Sequence, residues 1–110
     1  MRIVGGKYKS YIIPTSKKIK ARPTTDMAKE ALFNILENKI DFNQIYVLDL
    51  FCGTGNISYE FASRGVKEIT AVDHQINALQ FIQKQSSYWG MNINTKKKNA
   101  LSFLEITDDK

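Results

Sequence analysis

Two carboxylates and two glycines in this chain are spaced so that they could share one ligand. Asp49 interrupts Ile45-Tyr46-Val47-Leu48-Asp49-Leu50, an otherwise apolar run of the kind that forms a strand buried on both faces of a parallel sheet. Gly53-Thr54-Gly55 follows, and the pattern then turns helical, with Ile57, Phe61 and Ala62 on one side. A strand, a glycine turn and a helix in that order build a crevice at the carboxyl edge of an open sheet. The glycines let the backbone approach a ligand closely, and the helix start offers free N–H groups to an anion. The second acid, Asp73, closes the strand-like Glu68-Ile69-Thr70-Ala71-Val72. It lies 20 residues beyond Gly53, the distance that one helix and its return strand require.

The residue types narrow the ligand. A phosphate-cradling GxxxxGK[ST] loop is excluded, because no Lys-Ser or Lys-Thr follows the glycines. A dinucleotide fingerprint would place a third glycine where Ser58 stands. A nicotinamide-dependent oxidoreductase could use Asp73 equally well, but Asp49 before the glycines would repel a pyrophosphate. The same carboxylate attracts an ammonium. S-adenosylmethionine carries an ammonium, a carboxylate and a ribose diol, which suit Asp49, the loop N–H groups and Asp73 in turn. Alone, Asp73 could simply cap the next turn or helix. His74, the only histidine, stands at the same edge. Asn99-Ala100 ends a third strand there, an amide for an adenine edge beside a small side chain that leaves room for the ring. Cys52 reads as a small residue in a tight turn rather than a nucleophile.

The elements that must position these residues fit one domain. There are 110 residues, 43% of them hydrophobic, with no apolar run long enough to cross a membrane and no signal-peptide pattern. The lone cysteine fits a reducing cytoplasm. Three parallel strands are expected over 45–50, 69–73 and 93–98, the last near a sheet edge because it is so charged. Helices are expected from Asp26 to about Asn38, from Asn56 to Arg64-Gly65, and from about Gln75 to Tyr88, with a short one opening at Leu101. In the first, Met27, Ala31, Leu32, Ile35 and Leu36 read as the core stripe; in the third, Ile76, Leu79 and Ile82. Residues 1–30 carry eight basic and two acidic side chains, whereas 31–110 carry eight basic and nine acidic. That segregation points to a polyanion met by the N-terminal segment. Arg2-Ile3-Val4 and Lys7 to Ile13 read as two strands that could pair as a hairpin around Gly5-Gly6, with Tyr8 and Tyr11 among the lysines suited either to base stacking or to packing. A basic loop runs on to Pro23, and Trp89 reads as a packing anchor.

Taken together, the residues resemble the RsmD-type methyltransferases. The resemblance rests on Arg2-Ile3-Val4-Gly5-Gly6, Arg22-Pro23-Thr24-Thr25-Asp26, Glu30-Ala31-Leu32-Phe33-Asn34-Ile35-Leu36 and Leu48-Asp49-Leu50-Phe51-Cys52-Gly53-Thr54-Gly55, in that order. It implies the N-terminal part of a Rossmann-like class I fold (24–110) preceded by a basic hairpin and loop (1–23). It implies methyl transfer from S-adenosylmethionine to the exocyclic N2 of a guanine in 16S ribosomal RNA, free or in a small-subunit assembly particle. Asp49, Phe51, Gly53 and Gly55 would form the methionine-side loop, Asp73 would take the ribose, and Asn99 and Ala100 would border the adenine. Cys52 and Thr54 within the loop are counted with the cofactor residues, and His74, by its place at the same edge, would touch the adenosine or simply be exposed. Arg2, Lys7, Lys9, Lys17, Lys18, Lys20 and Arg22 would face RNA. No metal is expected, and the full-length protein is expected to be a cytoplasmic monomer. Two features depart from the family: Lys9-Ser10-Tyr11 replaces its Lys-Gly-Arg, and its Asp/Asn-Pro-Pro-Tyr/Phe motif does not occur, the only prolines being Pro14 and Pro23. The chain is therefore expected to stop short of that motif, to lack a catalytic residue and to be inactive alone, with Ile45–Leu50 left as an apolar sheet edge. A non-catalytic RNA-binding module and a methyltransferase for another nucleic acid are the alternatives.

Overall fold

A computed structural model describes residues 1–14, 18–19, 25–50 and 52–98. Phe51, Asn99, Ala100, Lys17, Lys20, Arg22 and the helix expected at 101 lie outside the described residues. Within them, α1 (Asp26–Glu37) leads through a short 3-10 turn (Phe42–Gln44) to β1 (Tyr46–Leu50), α2 (Asn56–Ser63), β2 (Glu68–Asp73), α3 (Ile76–Trp89) and β3 (Ile93–Lys97). The three strands form one parallel sheet in the order β1-β2-β3, with Val47 opposite Ile69 and Ile69 opposite Ile93. This is the α/β, Rossmann-like arrangement expected, and the lysine-rich third strand is an edge as its charge required.

The boundaries have local causes. Thr25 caps α1 by accepting from the Ala28 N–H at 3.1 Å, and Asp26 occupies the first turn where the helix dipole favours a carboxylate. Gly65 follows α2 at φ 106° and Gly90 ends α3 at φ 74°, conformations that favour glycine. α2 packs against β1 and β2, and α3 against β2 and β3. The sheet face beneath them carries Val47, Ile69, Ala71 and Ile93 into a core shared with Tyr59, Leu79 and Ile82. On the other face Tyr46 is 81% exposed and Leu48 42%. Parallel sheets normally bury both faces; among the described residues β1 has a strand on one edge only and these two side chains uncovered.

Two expectations are corrected. The core-facing stripe of α1 is not Met27, Ala31, Leu32 and Ile35: Met27, Leu32 and Ile35 are 81%, 43% and 56% exposed, and the helix buries Lys29 and Phe33 instead, with Leu36 packed partly beneath them. Phe33 meets the rings of Phe42 and Phe61, and Lys29 finds a carboxylate, so the inward face is turned away from the purely apolar one. In α3, Leu79 and Ile82 point inward as expected but Ile76 is 47% exposed. The N-terminal segment reverses direction as an arm: Arg2 and Ile12 form one antiparallel bridge, and the Ile3 N–H donates to the Tyr11 carbonyl at 2.9 Å, the Ser10 N–H to the Ile3 carbonyl at 2.8 Å and the Ile13 N–H to the Met1 carbonyl at 3.0 Å. Its turn residues Gly6 and Ser10 sit at φ 79° and 75°. The N–H groups of Val4, Gly5, Lys7 and Tyr8 are drawn onto α2, so they do not form a cross-strand ladder.

Candidate active site and arm

Parallel pairing puts the ends of β1 and β2 side by side, since Leu50 pairs with Val72 and Asp73 is the next residue on β2. The chain after β1 then folds back over that edge. The Cys52 N–H donates to the Val72 carbonyl at 3.2 Å, and the Gly53 N–H to Asp73 Oδ2 at 3.0 Å. Asp73 Oδ1 accepts from the Gln75 N–H at 2.9 Å, opening α3. The acid twenty residues beyond Gly53 therefore touches that glycine directly. It is 4% exposed, and it braces the loop as well as the α3 entry, the capping role that its position also allowed. A carboxylate has about four acceptor positions; among the described residues, backbone N–H groups take two of them.

Gly55, at φ 88°, carries the chain into α2; a Cβ there would meet Ile82 Cγ1 at 2.8 Å and the Tyr59 ring at 2.9 Å. No side chain caps α2 at that residue, and the Ser58 N–H in its first turn is drawn to Asp49. Asp49 lies under the same helix start and accepts from Ser58 Oγ at 2.6 Å. Burial holds its carboxyl above the ordinary range, against the Ser58 bonds that pull it down, and the nearby Asp73 charge adds to the rise. A cation beside it would be attracted. Burial also drives the Cys52 thiol far above its usual range, with Asp49 and Asp73 adding to the shift, so it is no thiolate nucleophile. His74 is exposed, with Nδ1 3.5 Å from Asp73 Oδ1. Asp49, Cys52, Gly53, Thr54, Gly55, Asp73 and His74 thus converge on one edge. Among the described residues no group of acids, histidines and cysteines could hold a metal, and no helix is long and apolar enough to cross a membrane.

Behind this edge lies a charge cluster that periodicity did not reveal. Lys29 Nζ and Glu60 Oε1 stand 3.2 Å apart with both side chains 0% exposed. Lys29 also donates to Asn56 Oδ1 at 2.7 Å and to the Arg2 carbonyl at 2.5 Å. Glu60 accepts from the Val4 N–H (2.9 Å), the Gly5 N–H (3.0 Å) and Arg64 Nε (2.8 Å). Arg64 continues to Glu37 and covers the Phe33 ring. Lys29, counted by sequence among the cations available to a polyanion, is thus spent inside the protein. Its burial lowers the ammonium's proton affinity, opposed by Glu60. The signal available in the sequence was its spacing, four residues before the core residue Phe33.

The arm is held by the same helix. Ser63 Oγ accepts from the Tyr8 N–H at 2.9 Å, and the Ser63 carbonyl accepts from the Lys7 N–H at 2.8 Å. Tyr8, Tyr11, Trp89 and Tyr59 follow one another edge to face, with centroids 5.2, 5.5 and 5.4 Å apart, so Trp89 is the packing anchor expected. Of the expected RNA contacts, Lys7, Lys9 and Lys18 are exposed, and Arg2 pairs with Asp26, Nε to Oδ2 at 3.6 Å.

The model of the family described as "Conserved hypothetical protein 95" matches residues 1–109. The chain belongs to that family, the RsmD-type methyltransferases. Among relatives of this RsmD-type chain, Ribosomal RNA small subunit methyltransferase D of Buchnera aphidicola subsp. Baizongia pistaciae is 34% identical over 96% of it and 54% of the relative. The protein of that name from Escherichia coli (strain K12) is 32% identical over 94% of the chain and 52% of the relative. The solved structure of a hypothetical protein from a Thermus species superposes with a TM-score of 0.81 at 24% identity over 96% of the chain and 59% of that structure, a likeness of fold. The RsmD-type chain spans about half the length of the curated relatives it matches.

Proposed function

We propose that the protein to which this chain belongs transfers a methyl group from S-adenosylmethionine to the N2 of a guanine in 16S ribosomal RNA, as free RNA or in an assembling small subunit. The chain supplies the cofactor pocket and part of the RNA surface. The observation that carries the reading is the meeting of Asp49, the glycine turn and Asp73 at one sheet edge in a chain of this family. The donor set fits the cofactor: Asp49 takes its ammonium, the start of α2 its carboxylate, and the remaining acceptor positions of Asp73 its ribose diol. The cofactor's sulfonium supplies the reactive methyl group. The residues present bind and orient the cofactor. A guanine base must be unpaired to reach such an edge. Calorimetric titration with S-adenosylhomocysteine tests the reading. Binding to the wild-type chain that falls at least tenfold in Asp73→Ala is the expected result, and a folded chain that binds none refutes it.

A further inference from the structure

The outer face of α3 forms, with the arm, a surface that the cofactor edge does not use. Pro14 of the arm and Phe81, Lys84 and Tyr88 of α3 line an open groove of about 330 Å³. Tyr88 is 84% exposed, and on the arm Ile12 and Tyr11 are 75% and 44% exposed. The Tyr11 ring rests on Trp89, which joins the two walls into one patch. Exposed aromatic and aliphatic groups gathered in this way are uncommon on a surface that meets only water. Neither wall carries an acid: residues 1–14 and 76–89 contain Arg2, Lys7, Lys9 and Lys84 and no Asp or Glu. An acid-free wall with Lys84 beside the exposed Tyr88 suits a polyanion that can also present flat rings. Ring faces are open to stacking only where bases are unpaired.

We infer that this groove is a docking site for a single-stranded stretch of RNA, with bases on Tyr88 and Tyr11 and a phosphate near Lys84. The inference rests on the RNA-methyltransferase reading and adds a second contact to it. α3 has 14 residues, so it is about 21 Å long. It starts just after Asp73 at the cofactor edge, and Tyr88 lies near its far end. RNA in the groove is therefore gripped well away from the base to be modified. The site selects the target through an unpaired segment flanking it, a demand that a base pocket alone cannot make.

Fluorescence anisotropy with an unstructured, end-labelled oligoribonucleotide tests this. Tyr88→Ala weakens binding about 5- to 30-fold, the effect of removing one stacking ring. Lys84→Gln lowers the slope of log K against log salt by about 0.7, the loss of one single-strand phosphate contact. Lys39→Gln, an equal charge change on an exposed residue beyond α1, changes neither. Duplex RNA of the same sequence binds less tightly and does not respond to Tyr88→Ala. Both groove residues are exposed, so the variants keep wild-type melting and wild-type S-adenosylhomocysteine affinity. Wild-type RNA affinity in Tyr88→Ala together with a Lys84→Gln slope no different from Lys39→Gln overturns the assignment and leaves the patch to a protein partner. A folded wild-type chain that binds cofactor but no RNA overturns the RNA reading itself.

Discussion

Replacing Lys29 by Met keeps the side chain's length and removes its charge. In the native protein Glu60 would then keep the Val4 and Gly5 N–H groups and Arg64, three donors at 2.9, 3.0 and 2.8 Å. Removing one partner of a buried pair costs about 3–5 kcal/mol, and three surviving donors put Lys29→Met near the lower end, about 3 kcal/mol. Glu60→Gln is the harsher change. It leaves the wholly buried Lys29 facing an amide, with only Asn56 Oδ1 and the Arg2 carbonyl as other acceptors, and it removes the one group that seats two arm N–H groups. Its cost lies near the upper end, about 5 kcal/mol. For a domain with about 5–15 kcal/mol in all, either change is large. The double variant removes both members of the pair, so it loses less than the sum, by about 1–3 kcal/mol. Urea titrations followed by circular dichroism measure the cycle, with slopes expected to be unchanged. Single losses below about 1 kcal/mol, or strict additivity, would refute the view that this pair holds arm, α1 and α2 together. The pH dependence supplies a second check. The folded-state proton affinity of Lys29 is lowered below its ordinary value of 10.5. The unfolded chain therefore binds the extra proton between the lowered value and 10.5, and stability climbs with pH through that window. Lys29→Met loses that climb.

Other perturbations read the remaining parts of the site. Asp49→Asn weakens S-adenosylhomocysteine binding by about 10- to 100-fold, the scale of a lost charged hydrogen bond, while raising Tm by a few degrees. The rise follows because the folded carboxyl lies above its ordinary value of 3.8: the stability present below 3.8 is lost as pH climbs through the raised value, and the amide does not titrate. Thermal melts at about pH 3 and about pH 7 give the comparison, and a variant less stable than wild type at neutral pH counts against the argument. Gly55→Ala combines a left-handed backbone position with a Cβ set 2.8 Å from Ile82 and 2.9 Å from Tyr59, at a cost of about 2–4 kcal/mol by denaturant titration. A loss under about 1 kcal/mol would show that the loop moves freely. The open flank of β1 makes the isolated chain associate as concentration rises, and Leu48→Lys suppresses it. Sedimentation gives the answer, and a dilute monomer with a sharp cooperative melt contradicts it.

What could be read from the sequence was what local chemistry determines. The alternation of apolar runs, glycine stops and helical stripes located all three strands and three helices to within two residues. Two acids at fixed distances from a glycine turn met at one edge because parallel pairing leaves them little choice. What could not be read was decided by partners far along the chain. Val4 and Gly5 look like strand residues until Glu60, 56 and 55 residues away, captures their N–H groups. Lys29 looks like a surface cation until that same carboxylate buries it. With Lys29 turned inward, the apolar residues on the neighbouring side of α1 turn outward, so hydrophobic periodicity named the wrong face. The bracing of the Gly53 N–H by Asp73 follows from the path of the loop over β2.

The attachment of the arm has an evolutionary consequence. Its grip on α2 consists of main-chain N–H groups at Val4, Gly5, Lys7 and Tyr8 reaching Glu60 and Ser63. Main-chain donors are the same in every residue but proline, so such a latch is blind to most substitutions. Gly6 is the exception in shape, since a Cβ there would fall 2.1 Å from the Ser63 carbonyl oxygen. The exposed side chains at Lys7, Lys9 and Ile12 can then drift without loosening the mount. Selection can change that surface while Glu60, Ser63 and one glycine keep the arm in register with the glycine-turn edge.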